Sequence, residues 1–298
     1  MSLASRVSGR LRRAWPDRVV HRDVQGVRLT LPWSHRLPDY AVLFPSYGQN
    51  LVVIAEVIAR VEGEPFVMID VGANVGDSAL QVLDKVDARV LCVEGDEYWL
   101  RYLHRNVDAE PRIRVVPALL LPDDPTEEVS AVRRNGTTHF VAGGGGLDAA
   151  EGMSPSALRS RGSDLGTVRL VKSDTDGYDA RLVPAMAREW TDAHPVLFLE
   201  FDPALTRQVG DNDPDRLWSE LAALGYDHVV VWDNFGNPLG SIGIDRAVAA
   251  SRVLDGQLDD RGYHYWDVAV VHRDDATIAA ALDLLVGNAK LDVATGAA

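Results

Sequence analysis

Cysteine is almost missing from this 298-residue chain: Cys92 is the only one. An intramolecular disulfide and a thiolate zinc cluster are therefore excluded. A lone thiol inside the apolar run RVLCVEGD reads as a buried core residue, and the expected compartment is the reducing cytoplasm. Positive charge is scarce too. Thirty Lys and Arg face 44 Asp and Glu, a net charge of −14. That argues against a broad nucleic-acid or anionic-membrane surface, because phosphates need cations. No apolar run reaches the roughly 18 residues a membrane span needs. The N-terminal MSLASRVSGRLRRAWPDR is basic but lacks the apolar core of a signal peptide. It reads as a solvated or amphipathic lead-in, with a weak surface tether as the alternative. Two nucleotide signatures are also absent: the phosphate loop G-x-x-x-x-G-K-[ST] and the dinucleotide fingerprint G-x-G-x-x-G.

What is present is a rhythm. From residue 66 apolar runs alternate with helical patterns. FVMID, ARVLCVEGD and RIRVVPALL read as three strands, and GDSALQVLDKV and EYWLRYLHRNV as the helices between them. The rhythm resumes with VRLVKSDTDG, PVLFLEFD, DHVVVWDN and WDVAVVHR as strands four to seven. DARLVPAMAREW, DPDRLWSELAALG (Asp213 or its neighbour the cap) and DATIAAALDLLVG read as helices. Such alternation predicts an α/β fold, a doubly wound, seven-stranded, mostly parallel and Rossmann-like sheet. NLVVIAEVIARV adds an earlier helix with Asn50 as its cap. VRLTLPW reads as a short strand. Residues 121–166, with GGGG at 143–146 and a strand TTHFVA, break the rhythm as an insertion or lid before strand four. The expected organisation is an N-terminal cover over 1–48, one catalytic-type domain over 49–290, and a loose tail over 291–298.

In open α/β sheets, ligands bind at the carboxyl ends of the strands. Here those ends carry Asp70, Glu94, Asp174, Glu200 and Asp233. One acid at a strand end is usually a cap or a solvated turn. Several on one rim make an acidic crevice suited to hydroxyls, an amine or a cation rather than to phosphates. After Asp70 comes the turn Gly72-Ala73-Asn74-Val75-Gly76, and Glu94 ends the next strand. Glu94 can accept both hydroxyls of a ribose. Asp70 and the loop backbone can hold a charged amino-acid tail. The pattern suits S-adenosylmethionine, a sulfonium without phosphates.

VMIDVGANVGDSAL, VLCVEGD, VRLVKSDTDGYDARLV and VLFLEFDP, in that order, resemble the FkbM family of S-adenosylmethionine-dependent methyltransferases. KSDTDGYD stands where that family has K-x-D-x-E/D-G-x-E/D. Ser173 and Thr175 flank Asp174 where apolar residues are common, and Asp176 stands where Glu is usual. The resemblance implies a class I methyltransferase fold. It implies that Asp70, Gly72, Asn74, Gly76, Asp77 and Ser78 surround the methionine part of the cofactor. Glu94 would take the ribose with Gly95 and Asp96 beside it, and Ala118 and Leu119 would lie near the adenine. Asp174, Asp176 and Glu200 would face the acceptor. The implied activity is methyl transfer to a hydroxyl of a sugar, glycolipid, oligosaccharide or natural product.

A sugar hydroxyl must lose its proton, which needs a carboxylate or His as base or a divalent cation. Asp174 is the first choice for the acceptor site, with Glu200 and with His139 of the insertion. Asp174, Glu200 and Asp202 are the candidate Mg²⁺ set, since hard cations take carboxylates. The plainer alternative makes Asp174 and Asp176 helix caps and Asp202 part of an Asp-Pro turn. His194 precedes strand five and falls on the wrong rim. His104 is helical, and His264 could reach the crevice. Trp232, Tyr263, Tyr265 and Trp266 are sugar-stacking or core aromatics. Tyr47 could close over the cofactor or pack as a turn aromatic. The competing functions are a nicotinamide oxidoreductase, disfavoured by the missing fingerprint, a non-catalytic methyltransferase-like binding module, and N-methylation of an amine. The expected partners are a small-molecule or oligosaccharide acceptor and no nucleic acid, and a homodimer would be compatible with such a chain.

Overall fold

The structure is a computed structural model that describes residues 12, 14–123, 129–134, 137–142, 149–208, 213–252 and 265–291, with backbone alone over 129–150. The chain starts with a hairpin. β1 (Val19–Val24) and β2 (Val27–Pro32) pair antiparallel around Gln25 and Gly26, both at positive φ. α1 (Leu37–Leu43) follows, then α2 (Gln49–Glu62). Gly48, at φ 70°, precedes α2, so Asn50 lies inside the first turn and is not the cap. Its amide is engaged elsewhere: Nδ2 donates to Asp267 Oδ2 at 2.7 Å.

The alternating segment then runs as β3 (Phe66–Val71), α3 (Asp77–Lys85), β4 (Ala88–Glu94), α4 (Glu97–Val107) and β5 (Ile113–Pro117). The irregular stretch holds β6 (Leu119–Leu120), β7 (Val129–Arg134), β8 (Thr137–Ala142), β9 (Ala149–Ala150), β10 (Gly152–Met153) and α5 (Pro155–Gly162). β7, β8 and β9 form a small sheet of their own, and β10 pairs with β6. The GGGG stretch lies outside the described residues. The second half runs as β11 (Val168–Ser173), α6 (Asp179–Glu189), β12 (Val196–Phe201), α7 (Pro203–Gln208), α8 (Pro214–Ala223), β13 (Tyr226–Asp233), β14 (Pro238–Gly243), β15 (Trp266–His272) and α9 (Ala276–Leu285). Asp213 caps α8 through Asp215 N–H, as expected. The proposed tail lies almost wholly outside the described residues.

The main sheet has eight strands in the order β14-β13-β15-β12-β11-β3-β4-β5. β3, β4, β5, β11 and β12 are mutually parallel, and β15 runs antiparallel to both β12 and β13. The expected seven strands are all there, and the eighth is β14, antiparallel to β13. Its sequence PLGSIG carries turn chemistry, and Pro fits a strand only at an edge or a first position. β14 is an edge strand with Pro238 first. This mostly parallel sheet with flanking helices has a doubly wound, Rossmann-like architecture.

Both faces of the sheet are buried. Alternate residues of β3 divide between them, Ile69 and Val71 toward α6 and α8, Phe66 and Met68 toward α2, α3 and α9. Period-two alternation into two apolar layers explains the continuous hydrophobic runs. Cys92 is fully buried in the second layer. A third cluster docks the N-terminal hairpin: Leu29 and Leu31, both fully buried, meet Val75 and the α4 residues Trp99 and Tyr102. Burying each leucine contributes about 2 kcal/mol. No helix among the described residues is long and apolar enough to cross a membrane.

Candidate functional site

The sheet order reverses between β3 and β11, and there the loops after the two strands part and leave a crevice. They touch closely. Gly72 has φ 72°, and a Cβ on it would sit 2.0 Å from the Asp174 carbonyl oxygen. Only glycine fits this position. Beneath the loops, Asp70 and Lys172 stand side by side in register. Lys172 Nζ donates to Asp70 Oδ1 at 2.8 Å and to the Gly72 carbonyl at 3.3 Å, and lies 3.8 Å from Asp174 Oδ2. Asp70 is fully buried, and burial pushes its carboxyl up against the pull of Lys172. Lys172 is held above its ordinary pKa by Asp70 and Asp174 despite its burial. Asp70 thus lies under the glycine loop, ion-paired to Lys172, and lines neither cavity described below.

Two cavities meet at Gly72, Asn74, Trp99 and Asp174. The first, about 170 Å³, is lined by Glu94, Gly95, Ala118, Leu119 and Thr175 among others. Glu94 forms part of its wall with both oxygens engaged: Asn74 N–H donates to Oε2 at 2.9 Å and Asp96 N–H to Oε1 at 2.7 Å. Each oxygen keeps a second acceptor direction. Burial raises the Glu94 pKa to about 7, against those two hydrogen bonds. Asp176, at φ 52°, is raised to about 7 by burial and by neighbouring carboxylates, Asp174 foremost. Three carboxylates and, among the described residues, no Lys, Arg or His line this cavity. Thr175 Oγ1 is buried without a hydrogen-bond partner.

The second cavity, about 370 Å³, brings together Asp77, Ser78, Lys172, Asp174, Glu200 and Asp267 under Tyr47 and Tyr265. Glu200 and Asp267 stand directly opposite one another on the antiparallel β12–β15 pair. Directly opposed like charges repel. Burial, then Asp174 and Asp267, pushes Glu200 well above the ordinary carboxylate range. Asp267 rises to about 7 through burial, opposed by its bond from Asn50. Burial brings Asp77 to about 6. The hydroxyls of Tyr47 and Tyr265 are held protonated by burial and the surrounding carboxylates.

Several expected residues do other work. Gly76 packs against Leu103 and Val107 of α4, where a Cβ would come within 2.8 Å of both. Asp96 caps α4 by accepting Tyr98 N–H at 2.8 Å. Asp202 does not join Asp174 and Glu200. Its Oδ1 accepts Ala204 and Leu205 N–H at 2.9 and 2.8 Å and caps α7, so the expected three-acid metal set is not assembled. Asp174 and Asp176 do not cap α6. The buried Asp179 holds their loop instead, accepting Ser173 Oγ at 2.5 Å and Thr175 N–H at 3.2 Å. The side chain of His139 and all of Tyr263 and His264 lie outside the described residues. Trp232 and Trp266 are core.

His194 lies on the far rim, stacked on His272 with ring centroids 3.7 Å apart. With Asp274 they form the one metal-ligand grouping found among the described residues. Two parallel rings do not converge on an ion, and His272 Nδ1 already accepts the Asp274 N–H.

Among the lining residues that the sequence does not point to are His35, Asn50, Lys172 and Asp267. His35 Nδ1 accepts Leu37 N–H, so its Nε2 carries the proton and donates to Asn74 Oδ1 at 3.3 Å. Burial lowers its pKa further, which keeps it neutral and makes it a strut rather than a base.

No family model matches the chain, and no curated protein matches it in sequence. Among solved structures, it is similar to a precorrin-6y C5,15-methyltransferase from Geobacter metallireducens, with 13% identity over 74% of this chain and 86% of that one and a TM-score of 0.38. It is similar to a TehB-like SAM-dependent methyltransferase from Corynebacterium glutamicum, with 11% identity, 76% and 88% coverage and a TM-score of 0.39. It is also similar to a Methanococcus jannaschii fibrillarin pre-rRNA processing protein, with 12% identity, 70% and 67% coverage and a TM-score of 0.39.

Proposed function

We propose that this chain is an S-adenosylmethionine-dependent O-methyltransferase of the FkbM type, acting on a hydroxyl of a sugar, glycolipid, oligosaccharide or natural product. The observation that carries the reading is the pair of joined cavities at the switch point. The first has carboxylates, an apolar slot and, among the described residues, no cation on its wall, which disfavours a nucleotide's phosphates and fits a phosphate-free sulfonium nucleoside. Its chemistry suits the cofactor in two further ways. Glu94 offers two acceptor directions for ribose hydroxyls, and the unpartnered Thr175 hydroxyl is a buried polar atom that a ligand would satisfy. Ala118 and Leu119 would hold the adenine, and Gly72, Asn74, Asp77 and Ser78 the methionine end.

When bound, the cofactor supplies an electrophilic methyl group. The chain supplies the rest. Asp174 borders both cavities and would orient the acceptor hydroxyl. Glu200, kept basic by burial and by Asp267, would take the hydroxyl proton as the new O–C bond forms. Tyr47, Tyr265 and the cover over residues 1–48 would exclude water, which favours a step in which opposite charges neutralise. A second cavity of about 370 Å³ lies in the range of small-molecule sites. The carboxylates do not fit the expected Mg²⁺ set, since Asp202 caps a helix, and Lys172 and Arg36 already bring positive charge to the wall of the second cavity.

The test is calorimetric titration with S-adenosylhomocysteine, with and without Mg²⁺, on wild type and Glu94→Ala. Micromolar binding that is weakened by Glu94→Ala and indifferent to Mg²⁺ is expected. No binding in either condition would overturn the reading in favour of a non-catalytic module.

A further inference from the structure

The basic N-terminal stretch is not absorbed by the site. Residues 1–44 hold eight Arg against three Asp, with no Lys or Glu, in a chain whose net charge is −14. The N-terminal 44 residues therefore carry a net charge of +5 and the rest of the chain −19. Part of it is fixed in place: Arg12 donates to Asp39 at 2.6 Å, Arg36 lies 3.0 Å from the same carboxylate, and Arg18 lies over the Trp33 ring.

α1 carries this region and has two faces. Leu37 and Tyr40, three residues apart, line the second cavity. Asp39, Val42 and Leu43, spaced three and four apart, share the opposite face. Val42 is 80% exposed and Leu43 64% exposed. Trp15, 58% exposed, lies one turn of chain from the Arg12 that grips Asp39. Large apolar side chains this bare, on a segment rich in arginine, have the chemistry of an interfacial anchor.

We infer that the Trp15, Val42 and Leu43 lip docks on an anionic lipid surface and turns the mouth of the second cavity toward it. Charge complementarity selects that occupant. The arginines favour an anionic surface, while the acidic remainder of the molecule is repelled, so one orientation is preferred. Val42 and Leu43 also share the short helix α1 with Leu37 and Tyr40 of the cavity wall, which couples the lip to the cavity. Resting on the proposed function, the acceptor class narrows to amphiphiles whose sugar enters the cavity while an acyl or polyprenyl tail stays in the bilayer.

The test is co-sedimentation of the full chain with vesicles of phosphatidylcholine alone, or with 30% phosphatidylglycerol. These are probe compositions, and the readout needs no cofactor, so it fails or succeeds separately from the methyltransferase reading. Binding to the anionic vesicles only, weakening as salt rises, is expected. Val42→Glu/Leu43→Glu should lower the partition coefficient about tenfold or more, and Trp15→Ser several-fold, with unchanged melting temperatures because these side chains are exposed. Equal binding to neutral vesicles, no binding to either, or unaltered binding by both variants would overturn the inference. So would a wild type that is dimeric in solution and becomes monomeric in the double variant, which would make the lip a contact between copies.

Discussion

Replacing Lys172 by Met should reveal how much the buried cation stabilises the crevice. Asp70 is fully buried, and Lys172 Nζ is its ion-pair partner at 2.8 Å. Met keeps the length of the stem, so the change is mainly electrostatic. Removing one partner of a buried pair costs about 3–5 kcal/mol. The contact with the half-exposed Asp174, at 3.8 Å, adds less than about 1 kcal/mol. At about 2 °C per kcal/mol for a chain of this size, the melting temperature should fall by about 6–10 °C. Asp70→Asn/Lys172→Met should recover about 2–3 kcal/mol relative to the sum of the single losses, because no charge is then stranded. The pH dependence has a definite sign. Without Lys172 the folded-state pKa of Asp70 rises further above its ordinary 3.8, so the folded state prefers the protonated acid. The loss should therefore be smaller at pH 5 than at pH 8. Urea unfolding at both pH values measures all of this. A Lys172→Met cost below about 1 kcal/mol, or strictly additive single changes, would refute the reasoning.

Glu94 is raised to about 7, so it must ionise before it can accept fully from a ribose. S-adenosylhomocysteine affinity should rise from pH 6 to pH 8 in wild type, while Glu94→Gln should be weaker and lack that component; calorimetry at three pH values checks it. The same raised pKa means that Glu94 itself favours folding below about pH 4.5 and loses that contribution as pH climbs through 7. Gly72→Ala should cost more than about 2 kcal/mol in urea unfolding, since its Cβ would overlap the Asp174 carbonyl at a positive φ. Glu200→Gln should lower kcat by about 10²–10⁴-fold with unchanged S-adenosylhomocysteine binding; equal activity on an identified acceptor would remove Glu200 from the mechanism.

Much of the fold was legible because its information is local. The inner parallel strands are near-continuous apolar runs, buried on both faces, and the crossover helices have their own period, so β3 to β5 and β11 to β13 stand out in the sequence. β14 does not. An edge strand can hold Pro238, Gly240 and Gly243, and those residues signal a turn to any local reading. The cap of α2 is Gly48 and not Asn50 for a related reason. Asn50 has the chemistry of a cap, but Asp267, far along the chain, offers its amide a buried partner.

The site divides along the same line. Gly72, Asn74, Glu94, Gly95, Ala118, Asp174 and Glu200 were visible, because each lies on a parallel strand or just past its carboxyl end. Asp267 was not, because it lies near the start of its strand. β15 runs antiparallel between β12 and β13, so its amino end reaches the rim where its neighbours finish. A rule that looks only at strand ends passes over it, although the aromatic-acid pair in YWDVAVV marks the place. Lys172 was hidden by register: only the pairing of β11 with β3 sets it beside Asp70. Strand direction therefore assembles the proposed chemistry. Turning one strand around places a second carboxylate opposite Glu200, and two carboxyls so placed cannot both ionise cheaply. The negative charge on Asp267 therefore adds to burial in raising the pH at which Glu200 can ionise. Asp267→Asn should then lower the pH at which Glu200 becomes active, moving the acid limb of the pH–rate profile downward. An unmoved limb would mean that burial alone sets Glu200 and that the antiparallel strand contributes only its backbone.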